Sequence, residues 1–204
     1  MNITQEKRLG KNSRITILGT QIDVLSRQQT VDLVNQYVLT KTGLHLMGVN
    51  ADKLNATSHN ELLKDIVNKC GVINADGASV VLASRFLGKP LPERVAGIDL
   101  MQDLVKLSEE KGYSIYLLGA KDKIVKRTAD VLKRQYPNLK ILGFHDGYFD
   151  RDQWENIADL LKKKKPDFVF VGITSPIKEY LIEFLQSKNI NSVFMGVGGS
   201  FDVI

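Results

Sequence analysis

Asp76 is a side chain whose type and place in the sequence could support chemistry. It lies in the turn at residues 74–79, directly after a short apolar run. A carboxylate at such a turn could act as a general base and remove a proton from a bound hydroxyl. The same carboxylate could instead cap the helix predicted over residues 78–86. The sequence alone leaves both interpretations open.

Arg94 is the second candidate, and it lies in a loop stiffened by Pro90 and Pro92. Its guanidinium could hold a diphosphate by paired hydrogen bonds. A surface ion pair with Glu93 or Asp99 is the alternative.

The glycine-rich segment 196–200 could let the backbone approach a phosphate or a ribose. Its pattern lacks the full G-x-G-x-x-G motif and follows the last apolar run, whereas a dinucleotide fingerprint normally follows the first strand. Thr174-Ser175-Pro176 predicts a capped helix start with Pro176 at the first helical position. Free N–H groups there could face an anion, and an ordinary helix cap is the alternative.

Several site types are not supported by the sequence. His45, His59 and His145 lack metal-ligand spacing, and the chain has one cysteine, Cys70. P-loop and G-x-S-x-G patterns are absent. We therefore expect no metal site and no organic cofactor.

Apolar runs alternate with helical patterns along the chain, and each run could end at a candidate site. Runs at residues 44–49, 71–74, 113–118, 139–144, 167–171 and 191–195 predict strands, and amphipathic segments between them predict helices. This alternation is typical of an α/β fold, a Rossmann-like, doubly wound, mainly parallel sheet with helices on both faces in a single domain. Ligands of such sheets bind beyond the carboxyl ends of the strands, at a topological switch point.

Local signals predict where some helices begin and end. Ser26 precedes one helical pattern, and residues 99–102 and 150–153 have capping-box spacing. The lysine run at residues 162–165 precedes Pro166, where cations suit a helix C-terminus. We interpret this run as a solvated helix end, with a nucleic-acid or lipid patch as the alternative.

The composition is that of an average soluble globular protein with a mild positive charge. The 204 residues include 28 Lys+Arg and 23 Asp+Glu, which gives a net charge of +5. Anionic partners are favoured, and a single cysteine fits a reducing, cytoplasmic setting. We expect a flexible arm over residues 1–13 and one core domain over residues 14–204. Because the chain stops just after a glycine cluster, we expect the natural protein to be longer.

Six short motifs occur in an order that resembles a known family. They are Gly48-Val49-Asn50-Ala51-Asp52, Asn74-Ala75-Asp76-Gly77, the block from Pro90 to Leu100 that reads PLPERVAGIDL, Gly143 to Phe149, Ser175 to Glu179, and Gly196 to Asp202. From about Arg14 to its end, the chain resembles the bacterial WecG/TagA/CpsF glycosyltransferases, glycosyltransferase family 26.

The resemblance implies a reaction. Members transfer a sugar from a UDP-sugar to a polyprenyl-diphosphate-linked sugar, with inversion and without a metal, at the cytoplasmic face of the membrane. The best-known members attach N-acetylmannosamine to undecaprenyl-diphosphate-GlcNAc for wall teichoic acid, and relatives build other surface polysaccharides.

The resemblance also implies roles for individual residues. Asp76 would be the general base, and Arg94 would stabilise the diphosphate leaving group. The remaining positions would bind the substrates: the sugar pocket would include Asn50, and the nucleoside would meet Tyr148, Asp202 and the turn formed by Gly196, Gly198 and Gly199.

The sequence departs from the teichoic acid members at two positions. Gly48 stands where a threonine is expected, and Lys178 stands where a glutamine is expected. Lys178 could supply a cation to the diphosphate or could be a solvated first-turn lysine. Members also continue into a basic C-terminal appendage that helps membrane attachment, which this chain does not contain.

Two other function classes remain open from the residues alone. The glycine-rich turns could belong to a nicotinamide-dependent oxidoreductase, and the positive charge could belong to a non-catalytic basic binding module. Nucleic acid is not an expected partner, since aromatic residues do not interleave with the lysine run. The apolar helix faces could form a core or a homo-oligomer interface.

Overall fold

The computed structural model of the chain describes residues 9–10 and 12–204. Most of the arm predicted over residues 1–13 lies outside the described residues.

Within the described residues, six parallel strands form the central sheet. They are β3 Leu44–Val49, β4 Val72–Ala75, β5 Ser114–Gly119, β6 Lys140–His145, β7 Phe168–Gly172 and β8 Val193–Gly196. Their order across the sheet is β4-β3-β8-β7-β5-β6. Residues 168–171 of β7 are fully buried, as expected for a strand covered on both faces. The predicted doubly wound parallel sheet is confirmed.

Helices cover both faces of this sheet. The helices are α1 Arg27–Leu39, α2 Ala51–Ser58, α3 Glu61–Lys69, α4 Ala78–Phe86, α5 Gly97–Lys111, α6 Asp122–Gln135, α7 Trp154–Lys164, α8 Ile177–Ser187 and α9 Ser200–Val203, with a 3₁₀ turn at Arg151–Gln153. Helices α1, α5, α6 and α9 pack on one face, and α2, α3, α7 and α8 pack on the other. Helix α4 packs beside β4, at the edge of the sheet.

A two-stranded antiparallel hairpin, β1 (Arg14–Ile17) and β2 (Thr20–Asp23), precedes α1. The apolar pattern does not predict it. Arg14 joins the hairpin to the sheet, because its guanidinium pairs with Asp23 at 2.8 Å and donates to the carbonyl oxygens of Asn68, Cys70 and Gly71. Asp23 in turn accepts the N–H of the β4 residue Ile73 at 2.7 Å.

The helix-start predictions had different outcomes. Ser26 caps α1 in a capping box with Gln29, and the capping box of residues 150–153 is present. The predicted cap at Asp99 is wrong, since α5 begins two residues earlier, at Gly97. Asp99 lies within the first turn, where it pairs with Arg27 at 3.6 Å. The lysine run ends α7, as predicted, with Lys165 in the left-handed conformation.

We predict that Arg14→Met destabilises the fold by about 3 kcal/mol, because it breaks a buried ion pair with Asp23 and leaves three carbonyl oxygens without the guanidinium donor. Urea unfolding followed by circular dichroism measures the change. Arg27→Met is the matched control. Its ion pair with Asp103 is exposed and should contribute less than about 1 kcal/mol. Equal losses in the two variants would contradict this role for Arg14.

Candidate active site

A cavity of about 660 Å³ opens at the carboxyl ends of β3, β4 and β8. The chain leaves β3 toward β4 on one side, while β8 is reached from β7 on the other side. The connections therefore diverge between β3 and β8, and this divergence is the topological switch point at which open parallel sheets form ligand crevices. The cavity lies where the sequence predicts the site.

The structure brings most of the predicted site residues together around this cavity. Those that line it are Asn50, Asp76, Arg94, Lys178, Gly196, Gly198 and Gly199. Tyr148 and Asp202 are not among the lining residues.

The Asp76 carboxylate is held at the N-terminus of α5. Its Oδ1 accepts the N–H of Gly97 at 3.0 Å, and the positive end of the helix dipole attracts a carboxylate at that position. Helix α4 has no side-chain cap, so the alternative role for Asp76 as the α4 cap is wrong. Its Oδ2 accepts no hydrogen bond from the described residues and remains available to a ligand.

Gly48 leaves the space beside this carboxylate open. A Cβ atom at Gly48 would lie 3.4 Å from Asp76 Oδ2, and one at Gly97 would lie at the same distance. Side chains at these two positions would therefore contact the carboxylate, and glycine keeps its free oxygen accessible.

Arg94 is bound to the backbone of the same strand end. Its Nε donates to the Asp76 carbonyl oxygen at 2.6 Å, and Val95 donates its N–H to Ala75 at 2.8 Å. The terminal guanidinium nitrogens have no hydrogen-bond partner among the described residues. The alternative ion pairs with Glu93 and Asp99 are not formed in this part of the chain.

Asn50 is the N-cap of α2, where its Oδ1 accepts the N–H of Lys53 at 2.8 Å. This bond fixes the side-chain amide, and Asn50 lines the cavity. A Cβ atom at Gly77 would lie 3.2 Å from Asn50 Cα, so the strand ends of β3 and β4 approach each other closely here.

The glycine turn after β8 forms another wall. Gly198 has φ +53°, a conformation that glycine adopts without strain. Lys178 reaches across this wall, because its Cε would lie 2.7 Å from a Cβ atom at Gly196. Its side chain is 16% exposed. It is therefore not the solvated lysine of the alternative interpretation.

The predicted start of α8 is wrong in detail. Helix α8 begins at Ile177, so Pro176 is the N-cap rather than the first helical residue, and no side chain caps the helix. The Ser175-Pro176 peptide bond is cis. Ser175 instead accepts a hydrogen bond from Lys53, which lies on α2.

The sequence motifs do not predict a buried ion cluster beneath the cavity. Lys53 Nζ forms an ion pair with Glu179, which is completely buried, and Lys178 Nζ lies 3.5 Å from the same carboxylate oxygen. Burial disfavours the charge of Glu179, but the attraction of Lys178 and Lys53 outweighs it and holds the pKa of this carboxyl below its ordinary value. The signal in the sequence is Glu179 on the same helical face as Ile182 and Leu185, which pack in the core.

His45 belongs to the same cluster and is 2% exposed. Burial lowers its pKa to about 4. The negative charge of Glu179 raises this pKa, whereas the positive charges of Lys53 and Lys178 lower it further. The imidazole is therefore neutral at physiological pH. His45 lines the cavity, and its Nδ1 has no hydrogen-bond partner among the described residues.

The two predicted residues outside the lining lie along the same edge of the sheet. Asp202 Oδ2 would be 3.7 Å from a Cβ atom at Gly199, so it adjoins the glycine turn. Tyr148 follows β6 and is 73% exposed. Between β8 and β6 lie three inter-strand spacings, about 14 Å.

The described residues contain no cluster of three or more His, Cys, Asp or Glu side chains placed to hold a metal ion. Among the described helices, none is both long and apolar enough to cross a membrane.

We predict that His45 makes stability depend on pH between 7.5 and 5. Its folded pKa of about 4 lies below the ordinary value of 6.5, so the unfolded chain binds the proton first as the pH falls. The free energy of unfolding should fall by about 2 kcal/mol more in the wild type than in His45→Gln. Urea unfolding at several pH values measures this. Parallel declines in the two proteins would contradict the prediction.

Comparison with known proteins shows the family of the chain. A model of the family described as "Glycosyl transferase WecG/TagA/CpsF family" matches residues 15–204. The N-acetylglucosaminyldiphosphoundecaprenol N-acetyl-beta-D-mannosaminyltransferases of Staphylococcus aureus strains NCTC 8325 / PS 47 and COL are 32% identical over 204 residues. The enzyme of the same name from strain MRSA252 is 31% identical. Each alignment covers 98% of this chain and 79% of the relative. The chain therefore belongs to the WecG/TagA/CpsF family of glycosyltransferases, which is the family its motifs resemble.

Proposed function

We propose that this protein is an inverting glycosyltransferase that acts without a metal ion. It moves N-acetylmannosamine or a related hexose from a UDP-sugar to a polyprenyl-diphosphate-linked sugar, in the synthesis of a cell-wall or surface polysaccharide. The names of the Staphylococcus aureus relatives support the sugar and the lipid-linked acceptor.

The observation that carries the proposal is that a carboxylate oxygen and two terminal guanidinium nitrogens, all without a partner among the described residues, lie together at one strand end. Arg94 lies 18 residues after Asp76, yet its Nε bonds to the Asp76 carbonyl oxygen. Displacement of a leaving group needs a base on one side of the reacting carbon and a cation on the other. These two side chains supply both groups from neighbouring positions.

Each residue has a definite part in the proposed step. The acceptor hydroxyl gives its proton to Asp76 Oδ2 as its oxygen bonds to the anomeric carbon of the donor sugar. The bond from that carbon to the diphosphate oxygen breaks with its electron pair, so UDP leaves with one additional negative charge. Attack opposite the leaving group inverts the anomeric carbon.

Arg94 and Lys178 balance the charge that develops on the leaving diphosphate. The free guanidinium nitrogens of Arg94 can donate to two phosphate oxygens at once. Lys178 adds a point charge at the wall formed by Gly196, whose missing side chain leaves room for the lysine. These two cations are the reason that we include no metal ion in the proposal.

The remaining predicted residues would contact the two ends of the UDP-sugar donor, its sugar and its nucleoside. Asn50 would donate a hydrogen bond to the sugar from the amide that its capping bond holds in place. The nucleoside would extend from the glycine turn past Asp202 toward Tyr148, along the sheet edge. Gly48 would leave room beside Asp76 for a sugar substituent, which makes it a candidate determinant of specificity.

The alternatives from the sequence have less support. The glycine-rich turn follows β8, the last strand, rather than the first strand of a dinucleotide-binding unit, and the family is one of glycosyltransferases. The same membership argues against a non-catalytic basic module.

We place the enzyme at the inner face of the cell membrane, where its lipid-linked acceptor would be.

We predict that Asp76→Asn lowers kcat by about 10² to 10⁴-fold, because the amide cannot accept the acceptor proton. Arg94→Ala should lower kcat by a similar factor through loss of charge stabilisation in the transition state. Release of UDP from UDP-N-acetylmannosamine, with a polyprenyl-diphosphate-GlcNAc analogue as acceptor, measures both rates.

Asp52→Asn is the matched control, since Asp52 is the other carboxylate among the described lining residues. Its rate should stay within about tenfold of the wild type, well short of the loss expected from removal of a general base. Calorimetric titration with UDP should show that Asp76→Asn still binds the nucleotide. Near-normal turnover by Asp76→Asn, or a larger loss in Asp52→Asn, would overturn the assignment of the base.

A further inference from the structure

Helix α4 presents an apolar side to solvent. Leu82 and Phe86 are four residues apart, so they lie on one helical face, and they are 54% and 83% exposed. Leu87, at the C-terminal end of the helix, is 56% exposed. Phe86 is the most exposed large hydrophobic side chain of the described residues. We call Leu82, Phe86 and Leu87, with the basic Arg85 and Lys89 beside them, the α4 surface.

The fold does not use this apolar side. Val80, Val81 and Ser84 form the buried side of α4, opposite Leu82 and Phe86. The helix is therefore apolar on both sides, although it needs only one to pack against the sheet. Exposed apolar side chains on a continuous helical face are typical of a surface that meets another apolar phase.

The charge around these side chains is positive. Residues 78–94 contain three basic side chains, Arg85, Lys89 and Arg94, and one acidic side chain, Glu93. Glu93 is turned to the backbone N–H of Arg27, which it accepts at 2.8 Å. Arg85 and Lys89 are exposed. Apolar side chains flanked by cations match an anionic lipid surface, whose headgroups attract the cations while the acyl region accepts the apolar groups.

The position of α4 connects this surface to the site. The helix begins two residues after Asp76, and the loop that follows it returns to Arg94, which bonds to the Asp76 backbone. Both ends of the segment from residue 78 to 94 therefore lie at the mouth of the cavity. A membrane in contact with the α4 surface would lie next to the proposed base.

We propose that the α4 surface docks the protein on an anionic lipid membrane, with Leu82, Phe86 and Leu87 inserted at the headgroup boundary. The inference deepens the proposed function, on which it rests for the lipid-linked acceptor. It names the face that the enzyme turns toward the bilayer.

Vesicle sedimentation tests the proposal with the whole chain and with lipids that contain no polyprenyl group or sugar. The protein should bind phosphatidylglycerol-containing vesicles better than phosphatidylcholine vesicles. Leu82→Ser/Phe86→Ser should weaken this binding at least tenfold, and Arg85→Gln/Lys89→Gln should weaken it and reduce its salt dependence. Equal binding by the wild type and Leu82→Ser/Phe86→Ser, or no binding by the wild type, would overturn the proposal.

Two matched control variants remove exposed leucines and exposed lysines from helices other than α4. Leu39→Ser/Leu62→Ser replaces leucines that are 65% and 62% exposed on other helices, and it should bind like the wild type. Lys163→Gln/Lys164→Gln changes the lysine run at the end of α7 and should also retain binding. Loss of binding in this second variant but not in Arg85→Gln/Lys89→Gln would move the membrane contact to α7 and contradict the proposal.

The fluorescence of a tryptophan on the α4 surface tests membrane insertion without removing an apolar side chain. Phe86→Trp places a tryptophan on the α4 surface in a chain whose single native tryptophan, Trp154, is buried. Its added emission should shift to the blue with anionic vesicles, and an unchanged spectrum on bound vesicles would overturn insertion. Light scattering tests whether a second copy of the chain covers the α4 surface instead of lipid. If the wild type is a dimer, and Leu82→Ser/Phe86→Ser dissociates this dimer without changing vesicle binding, the lipid proposal is contradicted.

The same variants separate this proposal from the proposed function. Leu82→Ser/Phe86→Ser should transfer sugar to a short-chain, water-soluble acceptor at the wild-type rate and lose activity with vesicle-embedded acceptor. Loss of vesicle binding with retained soluble activity supports both proposals. If the wild type binds vesicles but does not transfer sugar, the proposed glycosyltransferase function is contradicted and the proposed membrane contact of the α4 surface is still supported.

Discussion

The attachment of one loop to the end of β4 sets the geometry of the candidate site. The backbone of Val95 bonds to Ala75, the side chain of Arg94 bonds to the Asp76 carbonyl, and the Gly97 N–H bonds to the Asp76 carboxylate. These contacts begin α5 where Asp76 can cap it. They also direct one carboxylate oxygen and the free guanidinium nitrogens to the cavity. A fold without this attachment would keep both residues but separate the Asp76 carboxylate from the Arg94 guanidinium.

A second constraint lies beneath the cavity, where charged side chains are buried together. Glu179 holds Lys53 and Lys178 on one carboxylate oxygen, so α2 and α8 are joined across the switch point between β3 and β8. A buried charge pair of this kind costs desolvation free energy that good geometry must offset. Its position suggests why the cost is tolerated: Lys178, which faces the cavity, is held in place from below. His45 completes the cluster as a neutral side chain.

The sequence predicts features that depend on neighbouring residues better than features that join distant ones. The run at residues 168–171 identifies a buried strand, and Ser26 with Gln29 identifies a helix start, because each signal is local. The hairpin at residues 14–23 escapes prediction since Arg14 bonds to carbonyls more than 50 residues away. Asp99 is not a cap because α5 begins at Gly97, whose N–H donates to the carboxylate of Asp76, 21 residues earlier. The pair of Lys53 and Glu179 spans 126 residues, and the motif that ends at Glu179 gives no sign of this distant partner.

Analysis of the reaction product tests most directly whether the protein carries out an inverting, metal-independent transfer to a lipid-linked sugar. The measurement is NMR analysis of the disaccharide formed from α-linked UDP-N-acetylmannosamine and a polyprenyl-diphosphate-GlcNAc analogue, with a chelator present. An inverting, metal-independent transfer gives a β-linked product at an undiminished rate. An α-linked product, or a reaction that stops until a divalent ion is restored, would contradict it.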